Sequence, residues 1–140
     1  MNIEPYLSFK GNCREAFQFY EKTLGAKIVA IMTWAESPEA TDVSADWKDK
    51  VMHGIIDIDG CKVMAGDPPP NHFQPMRGFS LTLNVDDMSK AKQIFTALSE
   101  TGNVRMPFQE TFWANGFGMC IDKFGTPWMV NCGKKEAKAA

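Results

Sequence analysis

The run Asp67-Pro68-Pro69-Pro70 divides the chain near its middle, and the same succession of local signals can be read on either side of it. Consecutive prolines lack the backbone donor that a helix or a central strand needs, and each holds the residue before it extended. Regular structure must therefore stop by Asp67 and resume later. Before the break, Tyr6 to Phe9 is a short apolar-aromatic run ended by Gly11, which predicts a strand. Asn12 stands three residues ahead of Glu15, the spacing of a capping box, and Phe17, Tyr20 and Leu24 follow at helical spacing until Gly25, which suits a helix C-terminus. Lys27 to Trp34 is rich in β-branched and aromatic residues, and Glu36 to Asp49 is a polar loop with one helical turn near Asp46 to Lys48. Val51 to Ile58 and Cys61 to Ala65 are then two strands joined by Asp59-Gly60, a strong hairpin signal because both residues tolerate positive φ.

After the break the order returns. Phe79, Leu81, Leu83 and Val85 alternate with Ser80, Thr82 and Asn84, as in a half-buried strand. Asp86 or Asp87 is placed to cap a helix whose Ala91, Ile94, Phe95 and Leu98 face a core, with Gly102 at its end. Gly25 and Gly102 lie 77 residues apart. Asn103 to Phe108, Phe117 to Ile121 and Thr126 to Cys132 supply three more strands. Both halves read βαβββ, so a duplicated module is the simplest account.

At 140 residues, 44% of them hydrophobic and 23% charged, the chain has material for one sizeable core. The prediction is an α+β fold, one domain over 1–140, made of modules at about 1–67 and 78–133, a linker at 68–77 and a tail at 134–140. A net charge of −2 with scattered Lys and Arg carries no electrostatic footprint for nucleic acid or an anionic membrane. Lys134, Lys135 and Lys138, mixed with Glu136, read as a solvated tail. The start MNIEPYLSFKGN lacks the pattern of a signal peptide, so a cytoplasmic location is expected. Cys13, Cys61, Cys120 and Cys132 stand singly and are expected as free thiols.

Two βαβββ modules with a first helix G-N-C-R-E-A-F-Q-F-Y-E-K-T-L-G resemble the glyoxalase and bleomycin-resistance superfamily, the vicinal oxygen chelate proteins. P-Y-L-S-F-K-G-N-C, D-K-V-M-H-G and the long Q-E-T-F-W-A-N-G-F-G-M-C-I-D-K-F-G-T-P-W-M-V-N resemble its PhnB-like branch, over nearly the whole chain. The resemblance implies a glyoxalase-like mixed-sheet cup shared by the two halves. It also implies four metal-ligand positions, which in metal-dependent members are filled mostly by His and Glu. Aligning the modules places Pro5, Met64, Ser80 and Met129 there; a one-residue slip offers Tyr6, Val63 or Ala65, Phe79 or Leu81, and Trp128 or Val130. Neither set suits a hard divalent ion, so no metal and no cofactor are expected. Members of the branch carry a 3-demethylubiquinone methyltransferase label, but this chain has no glycine-rich strand-to-helix turn to hold a nucleoside-bearing donor.

The histidines are His53, mid-strand, and His72, in the loop after the prolines. His53 is a general-base candidate if it faces the cup, although its neighbours at alternate positions, Val51 and Ile55, point to a buried side. His72 reads as exposed. Glu110 is a second catalytic candidate, with an ordinary surface carboxylate as its plainer reading. Trp113 and Phe117, flanking Gly116, together with Met64, Ser80 and Met129, are the candidate ligand-binding residues. Trp34 belongs to the same aromatic set; Trp128 is expected in a core. Three functions stay open: a protein that binds a small apolar or aromatic molecule in a metal-free cup, a metal-dependent lyase or dioxygenase with shifted ligands, and a structural homodimer without a ligand. The resemblance implies a homodimer, which would also cover edge strands that the short modules leave unpaired.

Overall fold

A computed structural model describes residues 1–133, and the chain divides into two compact units, Met1–Met76 and the chain from Arg77 onward. The expected tail at 134–140 lies outside the described residues. In the first unit, β1 (Tyr6–Ser8), α1 (Cys13–Leu24), β2 (Lys27–Thr33), β3 (Val51–Ile58) and β4 (Cys61–Gly66) follow in chain order. Their sheet has the order β1-β4-β3-β2, with β1 parallel to β4 and the other pairs antiparallel. Asp59 and Gly60 both have positive φ, 50° and 89°, as the hairpin signal requires. The loop after β2 holds two short 3-10 turns, Ala40–Asp42 and Ala45–Trp47.

Helix α1 covers one face of this sheet. Leu7, Ile56, Val63 and Ala65 from the strands are buried, as are Cys13, Ala16, Phe17 and Tyr20 from the helix. Gly54 lets the helix come close: a Cβ there would sit 2.9 Å from the Phe17 ring. The start of the helix corrects the sequence reading. Asn12 makes no capping hydrogen bond with its side chain, and its Oδ1 is buried without a partner. The cap comes from Asp67 instead, whose Oδ1 accepts the amide N–H groups of Gly11 (2.9 Å) and Cys13 (3.1 Å). A carboxylate at this end answers both the unpaired donors and the positive end of the helix dipole.

The second unit repeats the pattern with β5 (Leu81–Asn84), α2 (Met88–Ser99), β6 (Asn103–Gln109), β7 (Gly116–Ile121) and β8 (Pro127–Cys132). Its sheet order, β5-β8-β7-β6, is that of the first unit position for position, again with a parallel first pair. This supports duplication on topology rather than on sequence spacing. Asp87 caps α2 by accepting the Lys90 amide at 2.8 Å. Ala91, Ile94, Phe95 and Leu98 bury against the sheet, with Gly118 opening room for the Phe95 ring at 2.7 Å. Gly102 does not cap this helix, contrary to expectation. The residue capping the helix after Ser99 is Glu100, in right-handed conformation, and Gly102 is glycine because a Cβ would lie 2.1 Å from the Ile121 carbonyl oxygen. The two units together make an α+β fold of two four-stranded mixed sheets and two helices. No described helix is long and apolar enough to cross a membrane.

Candidate functional site

Each sheet turns one face to its own helix and leaves the other free of helix within its unit. Pairing registers say which residues share those open faces. In the first unit, Tyr6 pairs with Met64, Met64 with Ile55, and Ile55 with Ala30, giving one row across four strands. His53 lies two residues from Ile55 and pairs with Met32, and its ring stacks on Tyr6 with centroids 5.8 Å apart and planes 29° apart. The sequence expectation of a buried side for His53 came from its parity with Val51. A register shift between Met32 and Thr33 breaks that parity, so Val51 is buried on the helix side while His53 is half-buried on the open one.

Tyr6 is held across this face by its hydroxyl, which donates to the Met52 carbonyl at 3.3 Å. Gly66 makes room for it, since a Cβ at that position would stand 2.6 Å from the Tyr6 hydroxyl. Burial, with the nearby Cys13 and Asp67 adding to it, pushes the Tyr6 phenol above its ordinary pKa, so it remains a hydrogen-bond donor.

Behind the sheet, Asp67 ties the unit together. It is 1% exposed; besides capping α1, its Oδ2 accepts the Val51 amide at 3.0 Å, and its backbone carbonyl accepts the indole N–H groups of Trp34 (2.8 Å) and Trp47 (3.3 Å). Trp34 is therefore a buried structural residue and not part of an exposed aromatic set. Burial raises the Asp67 carboxyl above its usual pKa, and the three backbone donors pull against that rise.

The open face of the second unit has two rows. Thr82 pairs with Met129, Met129 with Met119 and Met119 with Met106; one step along, Asn84 pairs with Asn131, Asn131 with Phe117 and Phe117 with Gln109. Asn131 donates to Asn84 Oδ1 at 3.3 Å. Trp113 stands edge-on to Phe117 at 5.2 Å, and Phe112 edge-on to Trp113 at 4.7 Å. The loop carrying them is braced by Thr111, whose hydroxyl accepts the Ala114 amide at 3.1 Å, and by the Asn115 amide donating to the Cys132 carbonyl at 3.0 Å. Phe112 is 86% exposed and Trp113 41%. Ser80 stands two residues before Thr82, just outside β5. Trp128, as expected, is in the core, its indole donating to Asp122 Oδ2 at 2.8 Å.

Of the sequence candidates, Trp113, Phe117 and Met129 are thus brought to one face of the second unit, and Met64 and His53 to the open face of the first. Glu110 is exposed at the end of β6, and His72 is exposed beyond the prolines. Tyr6, named from sequence as a slipped metal position, and Gly66, which was not singled out, carry the His53 geometry. Their only signal is that Tyr6 belongs to the three-residue strand parallel to the one ending in Gly66.

The metal positions implied by resemblance can be compared with this geometry. The register pairs Tyr6 with Met64, while Pro5 offers its carbonyl to the Met64 amide at 2.9 Å. Two thioethers, a serine hydroxyl and either a proline or a phenol held protonated are not donors for a divalent ion. Among the described residues, no group of three or more His, Cys, Asp or Glu side chains is disposed around a common point.

The chain is similar to known proteins along its whole length. It is 45% identical to protein PA1353 of Pseudomonas aeruginosa, whose crystal structure superposes with a TM-score of 0.87 over 96% of this chain and 99% of that one. Protein YjdN of Escherichia coli K12 is 37% identical over 97% of this chain and 98% of its own. The PhnB protein of Bacillus cereus is 25% identical, with a TM-score of 0.80 over 95% and 100%. The fosfomycin resistance protein FosX of Listeria monocytogenes, at 9% identity and a TM-score of 0.62 over 96% and 93%, shares the fold. With the family model described as 3-demethylubiquinone-9 3-methyltransferase matching residues 1–131, and with a PhnB protein among its structural neighbours, the chain belongs to that PhnB-like family.

Proposed function

We propose that this protein binds small apolar or aromatic molecules on its open sheet faces without a metal ion, Met64 serving the face of the first unit and Ser80, Trp113, Phe117 and Met129 that of the second. The observation that carries the reading is the edge-to-face contact of Trp113 with Phe117, next to the Met119–Met129 cross-strand pair. An aromatic wall beside two thioethers offers polarisable apolar contact that adapts to a flat ligand. Trp113 keeps 41% of its surface accessible, so a ligand can reach it. The faces also carry neutral hydrogen-bonding groups in Thr82, Asn84 and Asn131, which suits the few placed polar groups of a small-molecule site. A homodimer in the cytoplasm remains part of the proposal.

Methyl transfer, which the family description names, finds little support in the residues. A nucleoside-bearing methyl donor is commonly held at the start of the first helix after a glycine-rich turn. Here the α1 N-terminus already receives the Asp67 carboxylate from within the chain, on the Gly11 and Cys13 amides. A donor's carboxylate or ribose would have to displace a buried group.

The test is calorimetric titration with 1-naphthol as probe, on the native protein and on Trp113→Ala. Binding weakened about tenfold or more by the substitution is expected, from loss of a large aromatic contact. Equal binding by both proteins, or none to the native one, would sink the proposal.

A further inference from the structure

We propose that His53, held in place by Tyr6, is the residue of the first unit's open face that selects ligands by an uncharged hydroxyl group, a phenol or an enol. This deepens the binding reading above and rests on it. Four residues build the arrangement. Gly66 leaves the space that Tyr6 crosses, the Tyr6 hydroxyl is fixed on the Met52 carbonyl, and the Tyr6 ring backs the imidazole at 5.8 Å in a near-parallel stack. Because the Tyr6 hydroxyl proton is already used on Met52, the imidazole is the free donor and acceptor of the pair.

Neither ring nitrogen of His53 has a hydrogen-bond or ion-pair partner among the described residues. The buried side-chain polar atom lacking a partner there is Asn12 Oδ1, so the imidazole edge is reachable from solvent rather than sealed in the core. A histidine kept in one orientation by stacking, with both nitrogens unused, differs from one satisfied structurally, whose nitrogens bond to the backbone or a carboxylate.

The surroundings choose the ligand chemistry. The neighbours of His53 on this face are Met32, Ile55, Met64 and Tyr6, all apolar or aromatic. Charge on the face begins at Lys27, Asp57 and Lys62, which share one cross-strand row beyond that of Ile55 and Met64. An anionic ligand resting against His53 would lose hydration beside Met64 and Ile55, a row short of the two lysines, which flank Asp57. A neutral aromatic bearing one hydroxyl can rest its ring on the methionines and exchange a hydrogen bond with the imidazole.

The experiment compares 1-naphthol, its ether 1-methoxynaphthalene and the carboxylate 1-naphthoate by calorimetry, on the native protein, His53→Phe and His53→Gln. The phenylalanine keeps the stack on Tyr6 and removes the nitrogens; the glutamine restores a donor and an acceptor. One good hydrogen bond predicts that naphthol binds about tenfold tighter than the ether. That ratio should fall to about one in His53→Phe and recover partly in His53→Gln. The ring nitrogen resonances of His53, followed by NMR, should move with naphthol and stay with the ether, a response that a merely structural histidine does not give. Equal affinity for naphthol and the ether, with unmoved His53 resonances, overturns the inference while leaving ligand binding intact. Tighter binding of naphthoate than naphthol also overturns it, in favour of an anion site. No binding of any probe overturns both this inference and the reading beneath it.

Discussion

The Asp67 carboxylate accepts the Cys13 amide at 3.1 Å across 54 residues of sequence, so the last residue of the first module caps its first helix. The same side chain takes the Val51 amide on its other oxygen, joining helix, third strand and module end at one buried point. Strand β4 therefore cannot leave the sheet without uncapping α1, which couples the module's beginning to its end.

Replacing this carboxylate tests that coupling. Asp67→Asn puts an amide nitrogen against one of three backbone donors, and a loss of about 1–3 kcal/mol is expected in urea unfolding. The pH dependence has a definite sign. Burial raises the native pKa of Asp67 above its ordinary 3.8, so the folded state holds the proton more tightly than the unfolded one. The stability linked to this proton is full below 3.8 and is lost as pH rises through the raised native value. The stability of the native protein relative to Asp67→Asn should accordingly shrink as pH climbs across that window.

Gly102 separates two roles by substitution. A left-handed cap would accept asparagine almost as well as glycine. A position where a Cβ would stand 2.1 Å from the Ile121 carbonyl oxygen accepts glycine and rejects asparagine and alanine alike. Gly102→Asn and Gly102→Ala should both destabilise by about 2–3 kcal/mol in thermal or urea unfolding.

Two tryptophans of the second unit should respond in opposite ways. Trp128→Phe removes the indole donor to the buried Asp122 and should lower stability by about 1–3 kcal/mol. Trp113→Ala, at a residue 41% exposed, should change stability by less than about 1 kcal/mol and act instead on naphthol affinity. Denaturation curves and calorimetry on the two variants check both halves.

The thiols give a prediction about access. Cys61 is exposed, while Cys13, Cys120 and Cys132 are buried. Burial raises the Cys120 thiol to about 11 and pushes Cys13 up as well, which keeps both protonated near neutrality. Ellman's reagent should modify one thiol per chain quickly in the native protein and all four after denaturation.

The order of elements was legible in the residues because its signals are local. Asp59-Gly60 makes its turn through backbone preferences of two adjacent residues, Asp87 reaches an amide three positions on, and the alternation around Leu81 and Leu83 needs nothing beyond the strand. The residues of the open sheet faces were partly legible for a similar reason. Met64 and Met129 hold the same place in corresponding strands, and Trp113 sits beside glycine in a loop.

What the sequence by itself determined is thus the βαβββ succession, its duplication and the apolar faces of both helices, each of which depends on periodicities of a few residues. Only the tertiary structure decided that Asp67 rather than Asn12 caps α1, that Gly102 serves a close approach, and that His53 shares a face with Met64. Each of these turns on a through-space relation: a carboxylate reaching back 54 residues, a strand carbonyl lying under a glycine, and one register shift that reverses the parity of Val51 and His53. Local pattern specifies which way successive side chains alternate. It cannot specify which side is covered once the register slips, because that is settled by what packs there.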